Sequence, residues 1–170
     1  MRAELVLVGY AGLSYQHVSA KAGVHKTTIY RRWPDKDGLV CDALADLASQ
    51  SIPIPDTGSV GSDLRVMAQS VYRAITSADG GGLLRAMVSA GNPPAVRLPI
   101  ERFWNHRFAA AAEIVRRGIQ RGELARDVDP EQLLEALVAP LFLRVLVTHA
   151  PVDDVFIDRT VTAVMALGQP

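Results

Sequence analysis

The apolar residues of this chain recur at helical spacing almost everywhere, and that spacing constrains the fold more than any other feature. Leu64, Met67, Ala68, Val71, Tyr72 and Ile75 follow one another at intervals of 3, 1, 3, 1 and 3, which lines one side of a helix. Phe103, Trp104, Phe108, Ala111, Ala112, Val115 and Ile119 repeat the pattern farther along. No run alternates β-branched and polar residues as a half-buried strand would. The expected class is all-α.

Breaks in the pattern divide the chain. An abrupt helical piece over Arg2 to Val8 and a turn over Gly9 to Leu13 come first. Ser14 can cap a helix through about Ala22, Gly23 interrupts it, and Lys26 to Trp33 forms a second short helix. Pro34 breaks the chain again, and Asp35 can cap a helix from Lys36 to about Ser51. The stretch SIPIPDTGSVGS is the best boundary, so we expect an N-terminal domain over 1–50, a linker over 51–62 and a second domain over 63–170. Helices are expected there from residue 63 to the glycines at 80–82, over 83–90, 100–121 and 130–149, and from Asp153 to about Leu167.

The total charge hides a local asymmetry. Formal net charge is zero, yet residues 14–36 carry Lys21, Lys26, Arg31, Arg32 and Lys36 against Asp35 alone. Residues 127–170 carry two basic and seven acidic side chains. A basic patch beside an acidic remainder fits a local electrostatic footprint for nucleic acid. Cys41 is the only cysteine, so neither an internal disulfide nor a cysteine-based zinc site is possible. No stretch reaches the 18 apolar residues of a spanning helix. The opening MRAELVLVGY is too short for a signal peptide, so a cytoplasmic location is expected.

Function concentrates in GLSYQHVSAKAGVHKTTIYRRWPDKDGLV. Two short helices joined by Ala22-Gly23-Val24 have the layout of a helix-turn-helix. Val18, Ala22, Val24, Ile29, Trp33 and Leu39 would pack its small core. Lys26, Thr27, Thr28, Arg31 and Arg32 project from the second helix, as short polar and basic side chains must to reach base edges. Ser14 and Lys36 stand at helix starts, where backbone N–H groups and a point charge hold phosphate.

These residues resemble a known family. Ala22-Gly23-Val24, Thr28-Ile29-Tyr30 and Trp33-Pro34-Asp35-Lys36-Asp37-Gly38-Leu39 are similar to the DNA-binding signature of tetracycline-repressor (TetR) regulators. Gly9 to Ser14 matches the approach to the second helix of that family. Arg121-Gly122-Glu123-Leu124, Asp129-Pro130 and Pro140-Leu141 are similar to a C-terminal type found within it. The resemblance implies a symmetric dimer with a three-helix DNA-binding head and a larger domain for ligand binding and dimerisation. It implies that Tyr30 and Lys36 hold phosphates, while Lys26, Thr27 and Arg31 approach bases. Two departures stand out: the first helix begins about two turns later than is usual in the family, so the contacts of those turns and of a basic arm are either missing or not represented in this sequence, and His25 stands where the family usually has Ser or a similar small polar residue.

Other chemistry finds little support. His17 and His25 lie on different helices and make no metal pair. Gly80-Gly81-Gly82 lacks the spacing of a phosphate loop, and Gly58-Ser59-Val60-Gly61 is no nucleophile elbow. No enzyme, metal or cofactor is expected. The aromatic and methionine set Met67, Val71, Tyr72, Met87, Phe103, Trp104, Phe108 and Phe142 reads first as core, and the same types line ligand pockets. His106 and Arg107 could add polar contacts or lie on the surface. Helix 130–149 is apolar on nearly every side, so a second subunit should cover part of it. Leu141, Val145, Val161, Val164 and Met165 are the expected contacts of a two-fold four-helix bundle. The expected partners are therefore an operator duplex, an unidentified small molecule and a second copy, with no membrane. The rival is a helical ligand-binding or scaffolding protein that has lost DNA binding.

Overall fold

A computed structural model describes residues 8, 12–78, 80–82, 84 and 94–169. Among these residues the fold is all-α, with no strand. The helices are α1 (Tyr15–Ala22), α2 (Lys26–Arg32), α3 (Lys36–Ser51), α4 (Val60–Thr76), α5 (Pro94–Arg121), α6 (Pro130–Leu143) and α7 (Asp154–Leu167). A π-helical turn over Arg144–Thr148 continues directly from α6. The helices expected over Arg2 to Val8 and over 83–90, Met87 included, fall outside the described residues apart from Val8 and Leu84.

The described residues form two compact units, one drawn from residues up to Leu47 and from 77–105, the other from 48–76 and 106–169. This partition differs from a break over 51–62, because the described residues of 77–105 group with the N-terminal helices.

In the first unit α1 packs against α2. Ser14 caps α1, its Oγ accepting from the His17 N–H at 3.2 Å. Gly23 closes it in the left-handed region at φ 64°, a conformation other residues reach only with strain. Leu13, Val18, Ile29, Leu39 and Val40 form the buried core, with Tyr15, Trp33 and Phe103 packed against it. Val24 and Ala22, expected inside, are exposed. Val24 lies past the reversal at Gly23 and has lost the helical phase that carries Val18 inward.

The second unit is organised around α4, which packs against α6 and α7. Val60, Leu64, Met67, Ala68, Val71 and Ile75 are buried along one side. They meet a core supplied by Leu133, Leu134, Leu137 and Leu141 of α6 and by Ile157, Val161 and Val164 of α7. Each buried Leu, Ile or Val there contributes about 1.5–3 kcal/mol. The single helix expected over 130–149 is instead α6 plus the π-turn. Pro140 has no N–H to continue the ladder, and the backbone widens a few residues beyond it.

The segment expected to be a linker is tied down at four points. The Ile52 carbonyl accepts from Arg107 at 3.0 Å, and the Pro55 carbonyl accepts from Arg117. Asp63 Oδ1 accepts from the Thr57 N–H at 2.6 Å and from its hydroxyl at 2.7 Å. Glu123 Oε2 accepts from the Val60 N–H at 2.7 Å. That last bond supplies an acceptor for the first helical N–H of α4 from 63 residues away. Gly122, at φ 74°, reverses the chain after α5 and sets Glu123 in reach.

Candidate nucleic-acid interface

The candidate recognition helix α2 is seven residues long, and only Ile29 among them is buried. A helix anchored by one apolar residue presents all the others to solvent. Lys26, Thr27, Thr28, Tyr30, Arg31 and Arg32 are all exposed. No carboxylate lies on α1 or α2, while Lys21, Lys26, Arg31 and Arg32 all do.

Neighbouring aromatics position this row. Tyr30 stacks on Tyr15 with ring centroids 4.3 Å apart, and the Tyr15 hydroxyl donates to the Trp33 carbonyl at 2.9 Å. Trp33 in turn donates its indole N–H to Asp42 Oδ2 at 2.8 Å, joining α3 to the end of α2. Tyr30 is therefore held against α1 while remaining 47% exposed. Arg32 is exposed too, yet its guanidinium lies 4.8 Å from the centre of the Trp33 ring. It braces the helix end in addition to carrying charge.

The two expected phosphate anchors come together. Lys36 starts α3, and its Nζ donates to the Leu13 carbonyl at 3.3 Å, the residue next to Ser14. Lys36, 22 positions beyond Ser14 in sequence, thus reaches the backbone just before the start of α1. Asp35 caps α3, its Oδ1 accepting from the Gly38 N–H at 2.7 Å. His25 stands at the cap of α2 but makes no side-chain bond to the helix backbone. Its Nδ1 lies 3.2 Å from Thr27 Oγ1 instead. Sequence reasoning did not anticipate that contact.

Comparison with known proteins agrees with the geometry. The family model for bacterial regulatory proteins of the tetR family matches residues 2–43, and the model for the tetracyclin repressor-like C-terminal domain matches residues 54–164. The chain belongs to the TetR family. It is 34% identical over 145 residues to the HTH-type transcriptional regulator AqdR of Rhodococcus erythropolis, covering 85% of this chain and 69% of that protein. It is 33% identical over 166 residues to the DNA-binding transcriptional repressor TetR of Mycobacteroides abscessus, covering 95% and 85%. Its fold matches the crystal structure of the TetR family transcription regulator SCO0332 with a TM-score of 0.78 and 29% identity, over 99% of this chain and 94% of that one. The protein is accordingly a helix-turn-helix transcriptional regulator of the TetR family.

Within this family member the expected pocket residues separate. Met67 and Val71 are buried in the second unit, where Tyr72, Phe108 and Phe142 are half-buried. Phe103 and Trp104 belong to the first unit and meet edge to face, with centroids 5.1 Å apart. Phe103 packs on the core of the head, which accounts for its apolar character without a ligand. Met87 lies outside the described residues. Arg107 is buried and holds the Ile52 carbonyl, and burial lowers the pKa of its guanidinium; His106 is exposed.

The expected dimer contacts also divide. Leu141, Val161 and Val164 are buried within their own chain, facing the α4–α6–α7 core, so none of the three is a surface contact. Val145 and Met165 are half-buried. The large apolar side chains left exposed on this part of the chain are Leu143, Val147, Val155 and Leu167. Spacing alone does not separate the core sides of α6 and α7 from their exposed sides, because the intramolecular core and the π-turn decide which apolar residues are covered. Among the described residues no group of three or more His, Cys, Asp or Glu side chains could hold a metal ion, and no helix is long and apolar enough to cross a membrane.

Proposed function

We propose that the protein is a homodimeric, ligand-responsive repressor of the cytoplasm that binds a palindromic operator through α2. The observation that carries this reading is the exposure of every α2 residue except Ile29, on a surface with basic and hydroxyl groups and no carboxylate. Lys26, Thr27, Thr28 and Arg31 face base edges in the major groove, while Ser14, Tyr30, Arg32 and Lys36 hold the flanking phosphates. Two such heads on a two-fold axis meet half-sites about 34 Å apart. A small molecule held among Met67, Val71, Tyr72, Phe108 and Phe142 favours one spacing of the heads over the other and releases the operator.

The test is duplex binding by the full chain, followed by fluorescence anisotropy at several salt concentrations. The duplexes are the DNA upstream of its own and neighbouring genes and a shuffled control. Upstream DNA should bind at least about a thousandfold more tightly than the control at physiological salt. Equal affinity for both, or no binding, removes the operator reading and favours a helical ligand-binding or scaffolding protein.

A further inference from the structure

The Thr27 hydroxyl can donate or accept a hydrogen bond, and on an open helix surface its proton rotates to suit the partner. On α2 a partner is already in place. His25 has extended backbone at φ −70°, ψ 142°, and its ring turns toward Thr27 with Nδ1 3.2 Å from Oγ1. Both side chains are exposed. We propose that His25 sets the hydrogen-bonding polarity that Thr27 presents to a base edge, and that protonation of the imidazole reverses it. This rests on α2 being the recognition helix, as in the function proposed above.

The chemistry follows from which atom holds the shared proton. When Nδ1 carries none, it accepts the Thr27 hydroxyl proton, and Oγ1 is left with lone pairs for the DNA. Those lone pairs match the exocyclic amine of adenine or cytosine in the major groove. When the ring is an imidazolium, both nitrogens are donors, so Nδ1–H donates to Oγ1 and the hydroxyl proton turns outward. It then matches O6 or N7 of guanine, or O4 of thymine. The proton that titrates passes between solvent and the imidazole, and Thr27 keeps its own throughout.

The titratable and charged groups on the two helices packed together here are Tyr15, His17 and Lys21 on α1 and Lys26, Tyr30, Arg31 and Arg32 on α2. None is a carboxylate that would compete with Thr27 for an Nδ1 proton. The next acidic residue along the chain, Asp35, has its carboxylate on the Gly38 N–H. Thr27 is thus the acceptor that the ring meets.

The experiment selects a pool of randomised duplexes with the full chain at pH about 5.5 and about 8. One position in each half-site should shift from adenine or cytosine at the higher pH to guanine or thymine at the lower. The change expected is about fivefold, the net worth of one hydrogen bond. His25→Asn keeps a hydrogen-bonding neighbour for Thr27 without titrating, so its preference should be the same at both pH values. Thr27→Val keeps the shape and should lose the preference at that position altogether. Circular dichroism establishes that both variants are folded. A wild-type preference that ignores pH, or a shift that survives in His25→Asn, overturns the proposal and leaves DNA binding intact. Selection of no duplex at either pH removes the DNA-binding reading and this inference with it.

Discussion

At the scale of single residues, side chains of similar type have different work to do. Arg31 and Arg32 are adjacent in sequence, yet Arg32 rests on the Trp33 ring while no ring contact involves Arg31 among those described. Arg31→Ala should therefore cost about 1–3 kcal/mol in operator binding and relax preference at one or two positions. Equal losses on operator and shuffled DNA in a binding titration would make Arg31 a backbone contact. Lys36, whose Nζ donates to the Leu13 carbonyl next to Ser14, is the proposed phosphate contact at this end. Lys36→Ala should weaken all duplexes alike and lower the slope of log affinity against log salt by about one unit. The types and exposure of these residues were legible from sequence, because a recognition helix needs basic and hydroxyl groups around one buried anchor. The His25–Thr27 bond was not, since two residues on a polar surface have many rotamers and spacing does not choose among them.

Secondary-structure elements of the second unit are held at their ends by charge and by close approach. A Cβ added at Gly118 of α5 would lie 2.1 Å from Val60 Cγ2 and 3.0 Å from Leu124 Cδ1. Gly118→Ala must push the start of α4 away, so chemical denaturation should show a loss of about 1–3 kcal/mol, the usual cost of overpacking. Beside it, Asp63 is fully buried, with its Oδ2 3.7 Å from Arg117 and 4.0 Å from Arg121. Arg121 also pairs with Glu123, and that hydrogen bond raises the pKa of its guanidinium. Burial alone would raise the pKa of Glu123. The hydrogen bonds from Arg121 and the Val60 N–H, with the charge of Arg121, outweigh burial and hold it below the ordinary carboxylate range. A carboxylate with a depressed folded-state pKa stabilises at neutral pH, and that contribution is lost as pH falls through the folded value. The melting temperature should therefore drop as pH is lowered from about 5 to about 3, with a shallower drop in Glu123→Gln. Identical profiles for the two proteins would show that Glu123 carries none of the acid sensitivity. The Arg121-Gly122-Glu123-Leu124 motif was visible in the sequence as a family feature. Its role was hidden, because the partner of Glu123 is a backbone N–H 63 residues earlier.

For the whole molecule, the proposed dimer and the core compete for the same apolar helices. Leu141 and Val164 are buried within the chain, whereas Leu143 is 53% and Val147 is 67% exposed. A charge on the exposed set should act on assembly, and a charge in the buried set should act on folding. Val147→Glu should leave the melting curve of a dilute sample nearly unchanged while light scattering reports a smaller species and operator affinity falls, since one head reads only a half-site. Val164→Asp should lower the melting temperature at any concentration, because an unpaired carboxylate is forced into the core. If Val147→Glu scatters as the wild type does, the exposed apolar side chains of α6 and the π-turn are not the subunit contact.

Sequence alone determined the helical class, the helix-turn-helix and its exposed row, because each depends on local spacing, on Gly23 and Pro34 as breaks, and on caps such as Ser14 and Asp35 whose partners lie within three residues. Tertiary structure decided what depends on distant pairs. It assigned Phe103 to the core of the head, turned 51–62 from an expected linker into a bonded strap, and divided the apolar surface of α6 and α7 into core and exposed sides. The physical reason is the range of the interactions. A helix period repeats every few residues and can be read along the chain, whereas the partner of a buried arginine or of an apolar side is set by how the helices pack in space.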